Sequence, residues 1–255
     1  AGISCGECKR CLEGRTNLCD KYVTLGLNRH GGMAEYVAVP TSTLVKVPNG
    51  LDLDAAGISQ PLAVGLHAAR RSGVRNGDKV LLIGAGAIGT FVLAGLKHLV
   101  DAEVTVLDFG GNRLERASRL GADHTVEVGP EANDKIKQIF GPAGIDVVIE
   151  ASGAPGQLPF AIDMVKRGGT VLQVGLPSAH PEIDLHKLVL SEINIITTLA
   201  HVCGEDLGAS LEILANSTLA EELIEGVYPL SEISNQLELL STGKIQGKVL
   251  FDPSL

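Results

Sequence analysis

Four of the five cysteines crowd into one short segment as Cys5-x2-Cys8-x2-Cys11-x7-Cys19, with Cys203 far away. Four thiolates around one ion close a tetrahedral shell and leave no open coordination position, which predicts a structural zinc. An iron–sulfur cluster uses other spacings and often a proline after the last cysteine, where Asp20 stands. Four unliganded thiols are the remaining reading. Such crowding in an otherwise cysteine-poor chain favours metal in a reducing compartment over disulfides, which places the protein in the cytoplasm.

The second chemical stretch is Lys79-Val-Leu-Leu-Ile-Gly-Ala-Gly-Ala-Ile-Gly89. Gly84, Gly86 and Gly89 have the G-x-G-x-x-G spacing after a short apolar strand and before an apolar helix. The first glycine allows the tight turn, the second lets a pyrophosphate approach the backbone, and the third lets helix and strand pack closely. The pyrophosphate then meets the helix N-terminus, where free N–H groups and the dipole favour an anion. Another apolar strand ends in Asp108, nineteen positions beyond Gly89, which suits the acid that holds an adenosine ribose. The acid favours NAD over NADP by repelling a 2′-phosphate, while Arg113 pulls the other way.

The elements that must position these residues follow from periodicity. From residue 76 onward, strands at 79–83, 103–107, 125–128, 145–150, 170–174 and 193–197 alternate with helices at 88–100, 112–120, 134–140 and 157–166. Six such strands predict an α/β fold with a doubly wound parallel sheet of order 3-2-1-4-5-6. Glu150-Ala-Ser-Gly153 ends the fourth strand at the sheet edge where ligands bind in such folds, so Ser152 and Gly153 are expected to line the cleft. Ahead of residue 76, stretches 31–40 and 44–48 alternate like strands, and 53–58 and 62–71 read as helices. Beyond residue 200, helices at 207–215 and 230–240 and a strand at 248–251 break the alternation.

The chain has 255 residues, 45% hydrophobic with 31 glycines, enough for one large core or two modest ones. A net charge of −9 argues against nucleic-acid and anionic-membrane partners, and the apolar runs are too short for a membrane span. His67, His30, His180, His186 and Cys203 read as packed or solvated side chains.

Four segments occur in an order that resembles zinc-containing medium-chain dehydrogenases: the cysteine loop, Gly31-Gly-Met-Ala-Glu-Tyr-Val37, Pro61-Leu-Ala-Val-Gly-Leu-His67 and the glycine fingerprint. Within these the chain is similar to the sorbitol, 2,3-butanediol and threonine dehydrogenase branch. The resemblance implies residues 1–61 and 201–255 as the remnant of an irregular, GroES-like β-barrel catalytic domain carrying the zinc loop. It implies residues 62–200 as a Rossmann NAD-binding domain. It also implies a homodimer or homotetramer acting on a small-molecule alcohol or polyol. By the same likeness Ile88, Asp108, Arg113, Val174, Gly175, Leu176, Leu199 and His201 match cofactor-contacting positions, with a subunit interface the other reading of His201; Lys248 matches a position that binds pyrophosphate in some relatives and reads equally as a solvated strand lysine.

Two departures bear on function. The family's catalytic cysteine and histidine belong to a stretch ahead of the zinc loop that this sequence does not contain, so the chain is expected to be an N-terminally incomplete copy, or a short product with a crippled catalytic lobe. Gln60 stands where the branch has a glutamate at or near the catalytic zinc. A neutral amide is a weaker zinc ligand. Direct coordination, action through water and a lost catalytic zinc all stand as readings of Gln60, beside a buried amide bonded to backbone. The expected activity is oxidation of a secondary alcohol or polyol to a ketone with NAD, these 255 residues being inactive alone. The alternatives are a degenerate dinucleotide-binding paralogue or regulator, and a zinc-free quinone-type reductase, which the four-cysteine loop disfavours.

Overall fold

The computed structural model describes residues 1–255 and divides into two compact units, 1–64 with 199–255, and 65–198. In chain order the elements are β1 (Gly2–Ile3), α1 (Lys9–Leu12), β2 (Val23–Thr24), α2 (Leu53–Gly57), α3 (Ser59–Ser72), β3 (Lys79–Ile83), α4 (Ala87–Leu99), β4 (Glu103–Asp108), α5 (Asn112–Arg119) and β5 (His124–Glu127). Then follow α6 (Ala132–Phe140), β6 (Ile145–Glu150), α7 (Gln157–Met164), β7 (Val165–Gln173), α8 (Leu185–Ser191), β8 (Asn194–Thr197), α9 (Gly208–Ala215), α10 (Leu219–Leu223), β9 (Ile224–Pro229), α11 (Ile233–Ser241) and β10 (Lys248–Asp252).

In the unit of residues 65–198, six parallel strands lie in the order β5-β4-β3-β6-β7-β8, the expected doubly wound arrangement. Apolar helices cover both faces, so the strands carry apolar residues on both sides. Val80, Leu82, Val104, Val106 and Ile149 face one core with Val92, Leu93 and Leu96 of α4. Leu81, Ile83, Leu107 and Val148 face the other with Ile136 and Phe140 of α6 and Ile162 of α7. Each fully buried leucine, such as Leu81 or Leu82, contributes roughly 1.5–3 kcal/mol. Gly65 and Gly95 set how closely α3 and α4 pack. A Cβ on Gly65 would lie 2.5 Å from the Phe91 carbonyl carbon, and one on Gly95 3.0 Å from the Leu66 Cα.

Two carboxylates brace the N-terminal edge of this sheet. Asp146 accepts the Lys79 N–H at 2.8 Å and pairs with the Lys166 ammonium. Asp123 accepts the Val104 N–H at 2.7 Å and the Lys97 ammonium at 2.6 Å. Burial works to raise both carboxyls, but the lysine and backbone donors outweigh it and hold each below its ordinary 3.8. A lowered folded-state pKa contributes stability above the unfolded pKa, and that contribution is lost as pH falls through the folded one. Thermal midpoints are therefore expected to drop as pH falls below 3.8, and less so for Asp123→Asn with Asp146→Asn. Equal acid sensitivity in wild type and double variant would count against this bracing.

Several expected boundaries move. The helix expected over 157–166 stops at Met164, because Val165 already pairs with Ile145 and begins β7. A register shift between Ile145 and Val147, with Gly168 at φ +73°, lets the chain pass the glycine pair inside the strand. Residues 185–191 around His186 form α8, capped by the Asp184 carboxylate on the Lys187 N–H at 3.0 Å.

In the other unit, β1 and β2 pair antiparallel, and β10 pairs parallel with β9, a strand that the sequence reading lacks. Segments 31–40 and 44–48 alternate but form no strand. No strand of this chain lies alongside to accept their ladder bonds, and a strand without a partner is not stable. Met33, Tyr36, Val37, Leu44 and Val45 are consequently exposed. No helix is long and apolar enough to cross a membrane.

Candidate cofactor and metal sites

The glycine turn is built by contacts from three strand ends. The Gly84 N–H donates to the Leu107 carbonyl at 2.8 Å, which ties the turn to β4. Gly84 has φ +98°, and a Cβ there would lie 2.9 Å from the Ser152 nitrogen. A Cβ on Gly89 would sit well inside contact distance of the Gly84 carbonyl oxygen, so α4 approaches the turn as only glycine permits. Gly86 differs: a Cβ there meets nothing within 4 Å. It caps α4 without a side-chain bond, so no cap side chain occupies the first-turn N–H groups, a helix start of the kind that receives an anion.

Asp108 ends β4 at 5% exposure. Its Oδ2 accepts the Ala85 N–H at 2.6 Å, its Oδ1 the Phe109 N–H at 2.7 Å, and Arg113 Nη1 lies 3.5 Å from Oδ1. The Ala85 carbonyl accepts from Arg116 Nη2 at 3.2 Å and Thr90 Oγ1 at 3.3 Å. The peptide inside the fingerprint is thus held at both ends, and a ribose hydroxyl at Asp108 would find its acceptor already oriented. Ile88, in the first turn of α4, is half-buried and packs against the core.

Glu150 is the side chain that the sequence reading missed. It is fully buried at the end of β6. Oε1 accepts the Ser152 N–H at 2.7 Å, the Ser152 hydroxyl, and the Gly153 N–H at 3.0 Å. Oε2 accepts Gln173 Nε2 at 2.5 Å, and that amide also donates to the Gly175 carbonyl at 2.7 Å. The Glu150 carbonyl accepts the Val174 and Gly175 N–H groups. One carboxylate therefore joins the Ser152–Gly153 turn to the Val174-Gly175-Leu176 segment, where a Cβ on Gly153 would lie 2.7 Å from the Leu176 carbonyl oxygen. The available signal was an ionisable residue closing an apolar strand, since a buried carboxylate needs donors. Leu176 is 92% exposed at the rim.

Gln60, Leu199, His201 and Lys248 belong to the other unit. Gln60 is half-buried on α3. The Leu199 carbonyl accepts Asn17 Nδ2 at 2.8 Å, and the buried His201 lines a small cavity of about 50 Å³ with Tyr22, Thr43 and Cys203. Lys248 is half-buried in β10, and burial lowers its pKa.

The four loop cysteines bring their sulfurs within 4.8 Å of one another, the one such cluster of potential metal ligands in the chain. Cys8 and Cys11 sulfurs are 3.5 Å apart and those of Cys5 and Cys11 4.0 Å. Sulfurs bound to one tetrahedral zinc at ~2.3 Å stand about 3.8 Å apart, so the group fits. Backbone N–H groups of Cys5 and Lys21 reach the Cys19 sulfur at 3.3 Å, and Cys8 reaches Cys5 at 3.4 Å. Within the cluster the shifts diverge: the Asp20 and Cys11 N–H groups bring Cys8 down to about 6, while burial pushes Cys11 up to about 11.

A family model described as zinc-binding dehydrogenase matches residues 87–216, and one described as alcohol dehydrogenase GroES-like domain matches residues 1–49. The chain is 29% identical over 249 residues to the L-threonine 3-dehydrogenase of Shewanella sp. strain ANA-3, covering 97% of this chain and 72% of that one. Among solved structures it resembles L-idonate 5-dehydrogenase from Escherichia coli (27% identity, TM-score 0.88, 98% of this chain and 73% of that one). It also resembles a zinc-binding dehydrogenase from Sinorhizobium meliloti bound to NADP (29%, TM-score 0.84, 99% and 75%).

Proposed function

Because the chain belongs to the zinc-binding dehydrogenase family, we propose that it is an NAD-dependent oxidoreductase that converts a secondary alcohol or polyol to a ketone. The observation that carries this reading is the Gly84–Gly89 turn clamped to Asp108 through Ala85, inside a doubly wound sheet. The relatives' substrates, L-threonine oxidised at carbon 3 and L-idonate at carbon 5, react at secondary hydroxyls. Those relatives are dehydrogenases, which disfavours the non-catalytic binder.

In this reading residues 65–198 bind and orient the cofactor. Gly86 and the α4 N-terminus take the pyrophosphate, Asp108 accepts the adenosine ribose hydroxyls, and Ser152, Gly153 and Val174 to Leu176 line the cleft at the C-terminal strand ends. The bound NAD supplies the hydride acceptor. Cys5, Cys8, Cys11 and Cys19 would hold a structural zinc, which shapes the loop and takes no part in proton or hydride transfer. Gln60 stays the candidate nearest the catalytic metal of the family, Ile88 and Arg113 flank the cofactor, and Leu199 and His201 are candidates on its nicotinamide side. Cytoplasmic residence and a homodimer or homotetramer belong to the same proposal and rest on the resemblance.

The test is NADH formation by the full-length protein with NAD and a panel of L-threonine, L-idonate, sorbitol and 2,3-butanediol, with NAD binding measured in parallel. Turnover of at least one secondary alcohol is expected. Tight NAD binding with no turnover across secondary alcohols would overturn the dehydrogenase reading while keeping the cofactor site.

A further inference from the structure

One solved neighbour is complexed with NADH, and the relative from Sinorhizobium meliloti holds NADP. We propose that Glu127, at the C-terminal end of β5, is a specificity-determining residue that acts with Asp108 to exclude the 2′-phosphate of NADP. The proposal rests on the dinucleotide reading of the Gly84–Gly89 turn.

The geometry starts from strand register. β4 and β5 run parallel with Asp108 opposite Glu127, and the Val128 N–H donates to the Asp108 carbonyl at 2.8 Å. Paired residues on neighbouring strands stand about 4.8 Å apart, so both acids end their strands side by side. The carboxylate of Glu127 reaches over the loop that follows Asp108. Gly110, at φ +84°, has no room for a side chain because a Cβ would lie 2.5 Å from Glu127 Oε1 and 2.7 Å from its Cδ. Glu127, Gly110, Gly111, Leu114, Glu115 and Arg119 line one shallow groove beside the ribose acid.

Asp108 alone is a weak barrier here. Its oxygens are engaged by the Ala85 and Phe109 N–H groups, and Arg113 Nη1 lies 3.5 Å away. Charge on Asp108 is thus partly offset, and Arg113 is a potential phosphate partner. Glu127 is exposed, and no salt bridge engages it. It sets a carboxylate beside Gly110 on the loop that follows Asp108, and the proposal puts the 2′-phosphate of NADP within its reach. Glu115 and Arg119, an acid and a cation, line the same groove and offset one another. Repulsion at roughly 7 Å in water between a carboxylate and a nearly dianionic phosphate amounts to about tenfold in affinity. NAD, with a neutral 2′-hydroxyl, does not feel it.

Calorimetric titration with NAD and with NADP, at low and high salt, tests this on the whole protein. Wild type is expected to bind NAD tighter. Glu127→Gln is expected to tighten NADP about tenfold and leave NAD within about twofold, Glu127→Lys more strongly, and both gains fade at high salt. An unchanged ratio of NADP to NAD affinity in both variants overturns the proposal, as does an equal shift for both dinucleotides, which is what a merely structural role would give. A wild type that prefers NADP overturns it too. A wild type that binds neither dinucleotide removes the underlying reading, whereas NAD binding with an unmoved ratio removes Glu127 alone.

Discussion

Gly89→Ala is expected to weaken NAD binding at least about a hundredfold and to lower the thermal midpoint. The added Cβ would overlap the Gly84 carbonyl oxygen and lie 2.9 Å from the Gly84 carbonyl carbon and 3.6 Å from the Ala151 Cβ. No flexible side chain can yield there, since the obstacle is backbone. Either α4 backs away from the turn or Gly84 gives up its bond to Leu107, and both disrupt the cradle. Overpacking of this kind costs about 1–3 kcal/mol in folding. The companion variant Gly86→Ala separates binding from stability. Its Cβ meets nothing within 4 Å, so the midpoint should hold, yet the methyl occupies the space that a pyrophosphate needs. Calorimetry with NAD and a melting curve on each variant check both statements. A Gly86→Ala protein that binds NAD like wild type would show that the pyrophosphate does not lie on this turn.

The second large effect is expected from the metal. Around the cysteine loop, β1 and β2 are two residues each, and α1 buries no side chain. Of residues 1–25 only Asn17 and Cys19 are buried. A segment with so little apolar burial cannot offset its chain entropy, so a tetrahedral ion tying the four sulfurs would supply most of its order. Cys8→Ser, or removal of metal by a strong chelator, is expected to cost one zinc per chain and to open residues 1–25 to proteolysis. The sheet of residues 65–198, with its own two cores, should keep its midpoint. Elemental analysis and limited proteolysis give the readouts. Protease resistance of the loop after complete metal loss would dismiss the structural role, and a second zinc that survives Cys8→Ser would reveal another ligand set, with Gln60 the first residue to test.

Much of this protein is legible residue by residue along the chain. The cysteine spacing groups the four sulfurs because a tight loop brings near neighbours together whatever the rest of the fold does. The mainly apolar, strand-length runs at 79–83, 103–107 and 145–150, separated by helical stretches, suffice for the doubly wound order, because right-handed crossovers leave few other arrangements. Where a local pattern has competitors, the sequence is not enough. Residues 165 and 166 continue a helical reading until Val165 finds Ile145 across the sheet. Segments 31–40 and 44–48 carry a strand pattern and stay irregular for want of a neighbour.

The sequence by itself determined the glycine turn, the acid that answers it, the four sulfurs and the order of the sheet, because each depends on short spacings or on period. Only the tertiary structure decided that Glu150 joins the 152–153 turn to the 173–175 segment, that Gly65 and Gly95 let α3 and α4 meet, and that Glu127 reaches the loop after Asp108. Those contacts join residues from different strands or helices, and their distances are set by the twist and register of the sheet, which no local pattern encodes.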